Sequence, residues 1–249
     1  MRRAVASRKA PLLLSRQQLR IDGRSVEVSL RLNPRARRLI VKVNPSTGEV
    51  SVTAPSRAGL GRALEFARGE EKWIARQLSH VPAHVALEPG ARVPFRGTEH
   101  VVEMGEKGPA PVWIDTGARH IRVSGRAEHA ARRICDFLKK ECRGAVETRV
   151  VEYALALGVK PSRICLRDTA SRWGSCSAAR ALSFSWRLIL APDFVLDYVV
   201  AHEVAHLREM NHGARFWRHV EGLVGNPKAA QAWLREHGTS LQRYAPAKS

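Results

Sequence analysis

Residues 192–213 read PDFVLDYVVAHEVAHLREMNHG, and they combine a helix pattern with three histidines. Pro192 suits the first turn of a helix, because that turn leaves its backbone N–H groups unpaired and proline has none. Asp193 then faces the positive end of the helix dipole. Apolar residues recur from Val195 to His206, and Asn-His-Gly at 211–213 predicts the helix end.

Two of these histidines have the spacing of metal ligands. His202 and His206 are four residues apart, so on a helix their imidazoles share one face, one turn apart, and can reach the same ion. Zinc at such a site acts as a Lewis acid and lowers the pKa of water to near 7. Glu203 could take a proton from that water and deliver it to a leaving group. The pattern His-Glu-x-x-His therefore predicts a hydrolytic zinc site.

The third ligand is less constrained by the sequence. His212 follows His206 by six residues, the spacing that metzincins use for their third histidine, but Glu209 occupies the position of their glycine. We therefore expect a different turn to deliver His212. The other candidates for a third ligand are Glu209, His219 and Glu221.

A second motif, SRWGSCS, occupies residues 171–177. The small residues around Gly174 predict a tight turn, and Arg172 and Trp173 are candidates for a surface that faces a substrate. Cys176 could act as a nucleophile or as a thiolate ligand. The competing interpretation is a buried tryptophan beside a structural cysteine, which is the commoner role for cysteine.

Strand and helix patterns alternate along the chain and predict an α+β fold. Residues 25–54 and 90–125 have short β-rich runs separated by Gly- and Pro-containing turns, and residues 45–48 predict a hairpin turn. Residues 58–80 and 127–157 have helical spacing.

The C-terminal part continues with two short strand patterns and two short helices. Leu182–Leu188 alternates aromatic residues with serine, so we predict a strand that could pair with an extended substrate. The change from β-rich to helical sequence predicts a boundary near residue 126. It separates an N-terminal β-rich region with one helix, residues 1–126, from a region that carries the metal motif, residues 127–249.

The chain is strongly basic. Its 249 residues include 42 Lys and Arg against 23 Asp and Glu, a net charge of +19, and residues 1–40 hold 11 basic and 2 acidic side chains. Such an excess favours nucleic acid or nucleotide partners, with solvated surface as the alternative. Seven residues would supply the phosphate contacts: Arg2, Arg3, Arg8, Lys9, Arg35, Arg37 and Arg38.

Composition narrows the class of protein. Hydrophobic residues make up 44% of the chain, as in an ordinary folded protein. No apolar run approaches the ~20 residues of a membrane span, and no apolar segment follows the basic N-terminus as in a secretory signal. The 4 cysteines form no Cys-x-x-Cys pair. We expect a cytoplasmic protein with reduced thiols and no membrane partner.

Three stretches together resemble the YgjP-like family of predicted zinc metallopeptidases, which is related to the SprT-like and WLM groups. They are RDTASRWGSCS at 167–177, SFSWRLILAP at 183–192 and LDYVVAHEVAHLREMNHGARFW at 196–217. The resemblance covers nearly the whole chain and is densest from about residue 160 to 240. It implies a minigluzincin-like core, a small sheet packed on two helices, within a zincin-like metallopeptidase domain.

The resemblance also implies roles for particular residues. It implies that His202, His206 and His212 bind Zn²⁺ and that Glu203 is the catalytic residue. It places four further residues near the cleft: Arg172, Trp173, Ser175 and Cys176. We expect a zinc metallopeptidase, a hydrolase that cleaves peptide or protein substrates.

Two alternatives stay open at this point. A metal site also polarises phosphoryl oxygen, so the chain could be a metal-dependent nucleotide or phosphoester hydrolase. The SprT-like resemblance suggests the other alternative, a DNA-associated metalloprotease.

Overall fold

The computed structural model of the protein describes residues 11–44, 47–81, 83–106, 108–168 and 172–245. The contacts between residues fall into two clusters, which divide the chain into two units, Met1–Pro82 and Ala83–Ser249. Both units combine helices with sheets, so the fold is of the mixed α+β class that the sequence predicts.

The first unit is a four-stranded sheet with two helices. The strands are β1 (Leu12–Ile21), β2 (Arg24–Leu32), β3 (Ile40–Val43) and β4 (Val50–Ala54), in the order β1-β2-β4-β3. β3 and β4 are antiparallel, as the predicted hairpin requires, although Pro45 and Ser46 of the turn lie outside the described residues. The buried core of this unit includes Leu19, Val28, Val52 and Ile74.

The single helix predicted over residues 58–80 is in fact two helices, α1 (Gly59–Gly69) and α2 (Glu71–Ser79). Glu70 between them leaves the helical conformation, with ψ of 14°. The residue before it is Gly69, and glycine loses more backbone entropy in a helix than any other residue type. The break therefore falls where the helix propensity is low.

The basic residues predicted to contact phosphates divide into two sets. Arg2, Arg3, Arg8 and Lys9 lie outside the described residues, whereas Arg35, Arg37 and Arg38 are exposed between β2 and β3. Binding of a polyanion by these residues stays a prediction.

The second unit begins with a four-stranded sheet. After the short β5 (Val85–Ala86) come β6 (Arg92–Phe95), β7 (Thr98–Gly105), β8 (Val112–Asp115) and β9 (His120–Ser124), in the order β6-β7-β9-β8. The long helix α3 (Ala130–Ala156) follows. Ile121 and Val123 of the sheet share one buried core with Ile134 and Leu138 of α3. The predicted boundary near residue 126 therefore falls inside this unit, because one core extends across it.

A three-stranded sheet and three helices complete the second unit. The strands β10 (Arg163–Arg167), β11 (Gly174–Cys176) and β12 (Ala181–Ser185) have the order β10-β12-β11, and the sheet contacts both α3 and α4 (Asp193–Ala205). Helices α5 (Ala214–Val224) and α6 (Lys228–Leu241) follow. The chain then reaches β13 (Tyr244–Ala245), which pairs with β5.

The strand predicted over Leu182–Leu188 is shorter than expected. β12 ends at Ser185, and Trp186–Leu190 forms a 3₁₀ helix that Ser185 caps by accepting a hydrogen bond from the backbone N–H of Arg187. All five residues of that helix are buried. An alternating sequence pattern predicts a half-buried strand, in which every second side chain is exposed. The side chains of residues 186–190 are instead all buried, so the pattern does not describe this segment.

Helix α4 is the central element of the unit. Its buried residues occur on every side, including Val195, Leu196, Val199 and Val204, and it contacts α3, α5, α6 and β11. Such all-round burial holds the helix in one place. Among the helices that the structure describes, none combines the length and apolar character that a membrane span requires.

Candidate metal centre

Three histidines converge at the end of α4. His202 lies in its last turn, His206 caps it, and His212 comes from the loop that leads to α5. The Nε2 atoms of His202 and His212 are 3.1 Å apart, and one ring nitrogen from each of the three histidines lies within 4.8 Å of the others. The structure thus brings together the three ligands that the sequence predicts.

The geometry fits a zinc ion. Zn–N bonds of about 2.0–2.1 Å at tetrahedral angles separate two ligand nitrogens by roughly 3.3 Å, close to the 3.1 Å between His202 and His212. Three neutral imidazoles suit zinc, and three protein ligands leave the fourth position of a catalytic site open. Glu209, His219 and Glu221, the alternative ligands, do not belong to the group.

A backbone carbonyl sets which ring nitrogen of His206 faces the centre. His206 Nδ1 is 3.1 Å from the backbone carbonyl oxygen of Glu209, so Nδ1 carries the proton and donates it, and Nε2 is left as the ligand atom. The rings of all three histidines pack on buried Phe216, with centroid distances of 4.6–4.8 Å. This aromatic floor restricts their rotation.

Burial favours the neutral form of His202 and His206. The pKa of His202 is lowered to about 4, first by burial and then by repulsion from His206 and His212. Burial also lowers the pKa of His206. Only a neutral imidazole has a free lone pair for a metal, so these two histidines are in the form that binds a metal at neutral pH.

Glu203 is a buried carboxyl group beside the histidines, with 6% of its surface exposed. Burial raises its pKa to about 7, although attraction from Arg172 and a hydrogen bond from the Cys176 backbone N–H both oppose the shift. A general base works best when its pKa lies near the working pH. A carboxyl group with such a pKa can both take up and release a proton near neutral pH.

β11 approaches Glu203 as closely as a backbone can. A Cβ atom on Gly174 would lie only 2.5 Å from Glu203 Cγ and 2.7 Å from Oε1. Glycine is required here for close approach, which is the usual meaning of glycine inside a strand. The backbone of β11 thus forms one wall around the carboxylate.

The site opens into a cleft of about 320 Å³. Three of the residues that the resemblance places near the cleft line it, namely Arg172, Ser175 and Cys176. Gly174 and Met210 also line it, and the sequence analysis missed both as site residues. Neither residue had a usable signal, because the small residues around Gly174 predict a turn rather than a strand and nothing marks Met210.

Trp173 differs from its expected position. It does not belong to the cleft lining but packs against the hydrophobic core, where a Cβ on Gly238 of α6 would be 3.3 Å from its indole. Trp173 lies just before β11, and its side chain is directed to the core, whereas Gly174 faces Glu203.

Burial favours the protonated thiol over the reactive thiolate at Cys176 and Cys142. Burial, followed by repulsion from Glu203, raises the pKa of Cys176, which disfavours the thiolate needed for nucleophilic attack. Cys135 and Cys142 are buried free thiols and Cys165 is partly buried, and burial raises the pKa of Cys142 to about 12.

The buried carboxyl predicts a pH signature in protein stripped of metal. The pKa of Glu203 rises from 4.5 to about 7 on folding, so its contribution to stability is lost as the pH rises from about 4.5 through about 7. In Glu203→Gln this loss disappears. Relative to wild type, the variant should gain on the order of 3 kcal/mol in free energy of unfolding across that interval, at ~1.4 kcal/mol per pKa unit.

Urea denaturation in the presence of a chelator measures this difference. His202, with its lowered pKa, contributes stability that is lost as the pH falls from 6.5 through about 4. That loss occurs in both proteins, so their comparison cancels it. A difference between variant and wild type that stays constant with pH would contradict the buried, proton-binding state of Glu203.

Comparisons with known proteins give a family and two distant structures. A model of the YgjP-like metallopeptidase domain matches residues 37–237. The metallopeptidase zymogen of Pyrococcus abyssi, abylysin, is 22% identical and aligns over 40% of this chain and 98% of its own, with a TM-score of 0.34. That of Methanocaldococcus jannaschii, jannalysin, is 18% identical and aligns over 38% and 96%, with a TM-score of 0.33. Comparison with curated proteins gave no match.

Proposed function

The chain belongs to the YgjP-like metallopeptidase family, and from that premise we propose that it is a zinc-dependent peptidase with Glu203 as its general base. One observation carries the proposal. Three imidazoles converge within 4.8 Å beside a buried carboxyl whose pKa is raised to about 7, in a cleft bordered by a strand edge. His202, His206 and His212 would hold the zinc ion.

The residues of the chain divide the chemistry among them. A bound zinc ion would supply Lewis-acid polarisation and lower the pKa of water. Glu203 accepts the proton of the attacking water and passes it to the leaving amine nitrogen. The N–H of Cys176 fixes the carboxylate in position, and Arg172 stabilises its charged form. Burial among β11 and α4 keeps bulk water away from the carboxylate.

The edge of β11 offers a docking place for an extended peptide. The backbone of Trp173 and Ser177 points toward β12, since Trp173 O accepts from Ser185 N at 2.9 Å and Ser177 N donates to Ala181 O at 3.0 Å. Alternate residues of a strand point their backbone groups the other way. Gly174 and Cys176 therefore face the outer edge, where the N–H of Cys176 already bonds to Glu203, and a substrate strand can pair with the remaining backbone groups by β-augmentation.

This arrangement changes the sequence-based prediction that the strand near Ser183–Leu188 pairs with the substrate. β12 pairs with β10 on one side and with β11 on the other, so it has no free edge. Its neighbour β11 is the terminal strand of this sheet and lines the cleft. β11 takes the docking role.

A methyl group at Gly174 should impair catalysis without removing the metal. In Gly174→Ala the new Cβ would overlap Glu203 Cγ at 2.5 Å, so the carboxylate must move. Displacement of a catalytic group by about 1 Å can cost about 10²-fold in rate. We expect a fall of about that size in kcat, measured on any peptide that the wild type cleaves, with unchanged zinc content.

Gly144→Ala provides the matched control. Gly144 lies in α3, and a Cβ there would meet nothing within 4 Å, so kcat should stay at the wild-type value. Wild-type kcat in Gly174→Ala would contradict the proposed role of the β11 wall.

The proposed reaction is tested by a parallel activity screen of the zinc-loaded chain. Unfolded protein and peptide libraries are the first substrates, nucleoside triphosphates and phosphate esters the second, and Glu203→Gln is the control for contaminating enzymes. Peptide cleavage that depends on Glu203 supports the peptidase. Release of phosphate or pyrophosphate with the same dependence, and no peptide cleavage, would instead support the phosphoester hydrolase.

A further inference from the structure

A second cavity lies away from the metal centre. It has a volume of about 420 Å³, and it shares no lining residue with the cleft of about 320 Å³ at the histidines. Volumes of ~300–1,000 Å³ are usual for small-molecule sites. Among the residues that the structure describes, seven line it: Lys139, Lys140 and Arg143 of α3, Leu166 and Arg167 of β10, and Asp168 and Trp186.

The cavity is strongly basic. Four of its lining residues are Lys or Arg and one is Asp. The single acid, Asp168, is already paired with the buried Arg187, so it does not offset the four cations. Within the part of the chain that the structure describes, neither Lys140 nor Arg167 forms an ion pair, while Arg143 pairs with Glu147 at the surface.

A buried tryptophan forms part of the cavity wall. Trp186 is 1% exposed, and it lines the cavity beside Leu166. These two side chains give the cavity an apolar wall next to its four cations.

The tryptophan is held rigidly in this position. The guanidinium of Arg187 lies over its ring at 4.6 Å, and Arg187 Nε donates to the backbone oxygen of Tyr244 at 3.0 Å. This wall of the cavity is therefore fixed before any ligand arrives, and binding costs little ordering of it.

From these observations we infer that the cavity binds a compact anion that carries a phosphate or diphosphate group. The cations approach from two elements, α3 and β10, so they can contact a ligand with several charged oxygens from both sides. Arg and Lys are the residues that bind phosphate oxygens. Such a group belongs either to a free phosphorylated small molecule or to the phosphorylated end of a nucleic-acid strand.

Titration calorimetry of the zinc-loaded, full-length chain with inorganic pyrophosphate tests the inference. Lys140→Glu and Arg167→Glu should each weaken binding by about 10–100-fold, the worth of one charge-assisted hydrogen bond. Arg132→Glu is the matched control, because Arg132 is an exposed residue of α3 outside the cavity. It should weaken binding by less than about threefold.

Two results would overturn the inference. One is the absence of pyrophosphate binding at millimolar concentration, or equal binding by the Lys140, Arg167 and Arg132 variants. The other is binding that is lost only in His202→Ala, which would place the anion at the metal centre. Since Lys140 and Arg167 lie outside the cleft, peptide cleavage should be unchanged in their variants, whatever the outcome for the anion.

Competition distinguishes the two sources of the phosphate. A short single-stranded oligonucleotide with a 5′-phosphate that displaces pyrophosphate, when the same strand without the phosphate does not, identifies a strand end. Failure of both oligonucleotides to displace bound pyrophosphate identifies a free small molecule. Displacement by both strands equally, with no effect of Lys140→Glu, would contradict a role for this cavity.

Discussion

Replacement of Glu203 by glutamine should lower kcat for peptide hydrolysis by about 10²–10⁴-fold, the usual worth of general acid–base catalysis. Glutamine preserves the shape of the side chain and can still accept the hydrogen bond from Cys176, but its amide cannot take a proton from water. Glu203 does not belong to the group of three residues that could hold a metal ion, so zinc content should stay at the wild-type level. Initial rates on a cleaved peptide, with elemental analysis of the same sample, measure both quantities.

Glu209→Gln is the matched control for this experiment. Glu209 lies near the site, but its carboxylate approaches Arg215 at 3.9 Å and only its backbone oxygen contacts His206. The substitution leaves that oxygen in place, so kcat should change little. A Glu203→Gln variant with wild-type turnover would remove Glu203 from the mechanism.

Removal of one histidine should abolish stable metal binding. In His202→Ala only two ligands remain. Mutation of a residue that merely hydrogen-bonds to a metal ligand lowers metal affinity by about 10–100-fold, and loss of a ligand itself should lower it by more. Zinc that binds only the folded state stabilises it by about 2.7 kcal/mol when free zinc is about 100-fold above its Kd. His202→Ala should lose that zinc-dependent stabilisation together with its activity.

Elemental analysis and thermal unfolding with and without zinc provide the measurements. His219→Ala is the control, because His219 lies in α5 and outside the group of three histidines. It should keep both the metal and the shift in Tm. Full retention of zinc by His202→Ala, or an equal loss in His219→Ala, would contradict the ligand assignment.

The sequence predicted best those features that depend on neighbours along the chain. The start of α4 could be predicted because a proline start and an apolar pattern occur within one short stretch, whereas the helix ends at Ala205, before the Asn-His-Gly stop predicted at 211–213. The convergence of His212 could not be derived in the same way. It depends on the loop after α4 and on the packing of all three rings against Phe216.

Features that depend on distant partners were harder to predict. Gly174 suggested a turn, but β11 exists because it pairs with β12 and lies against α4. The strand prediction for Leu182–Leu188 was too long because alternation in the sequence does not reveal that Trp186–Leu190 is buried throughout. The composition change near residue 126 is likewise local, whereas the core that extends across it is formed by long-range contacts.

The short β11 edge also bears on solubility and on turnover. An exposed strand edge is a template for unwanted pairing between copies of a protein, but β11 has only three residues. One of its outward N–H groups, that of Cys176, is already bonded to Glu203. The hydrogen bond that orients Glu203 thus reduces the number of main-chain groups on β11 that can pair with another strand. A peptide held by so few main-chain bonds has low ground-state affinity, so its binding energy is not spent before the transition state, and products depart readily.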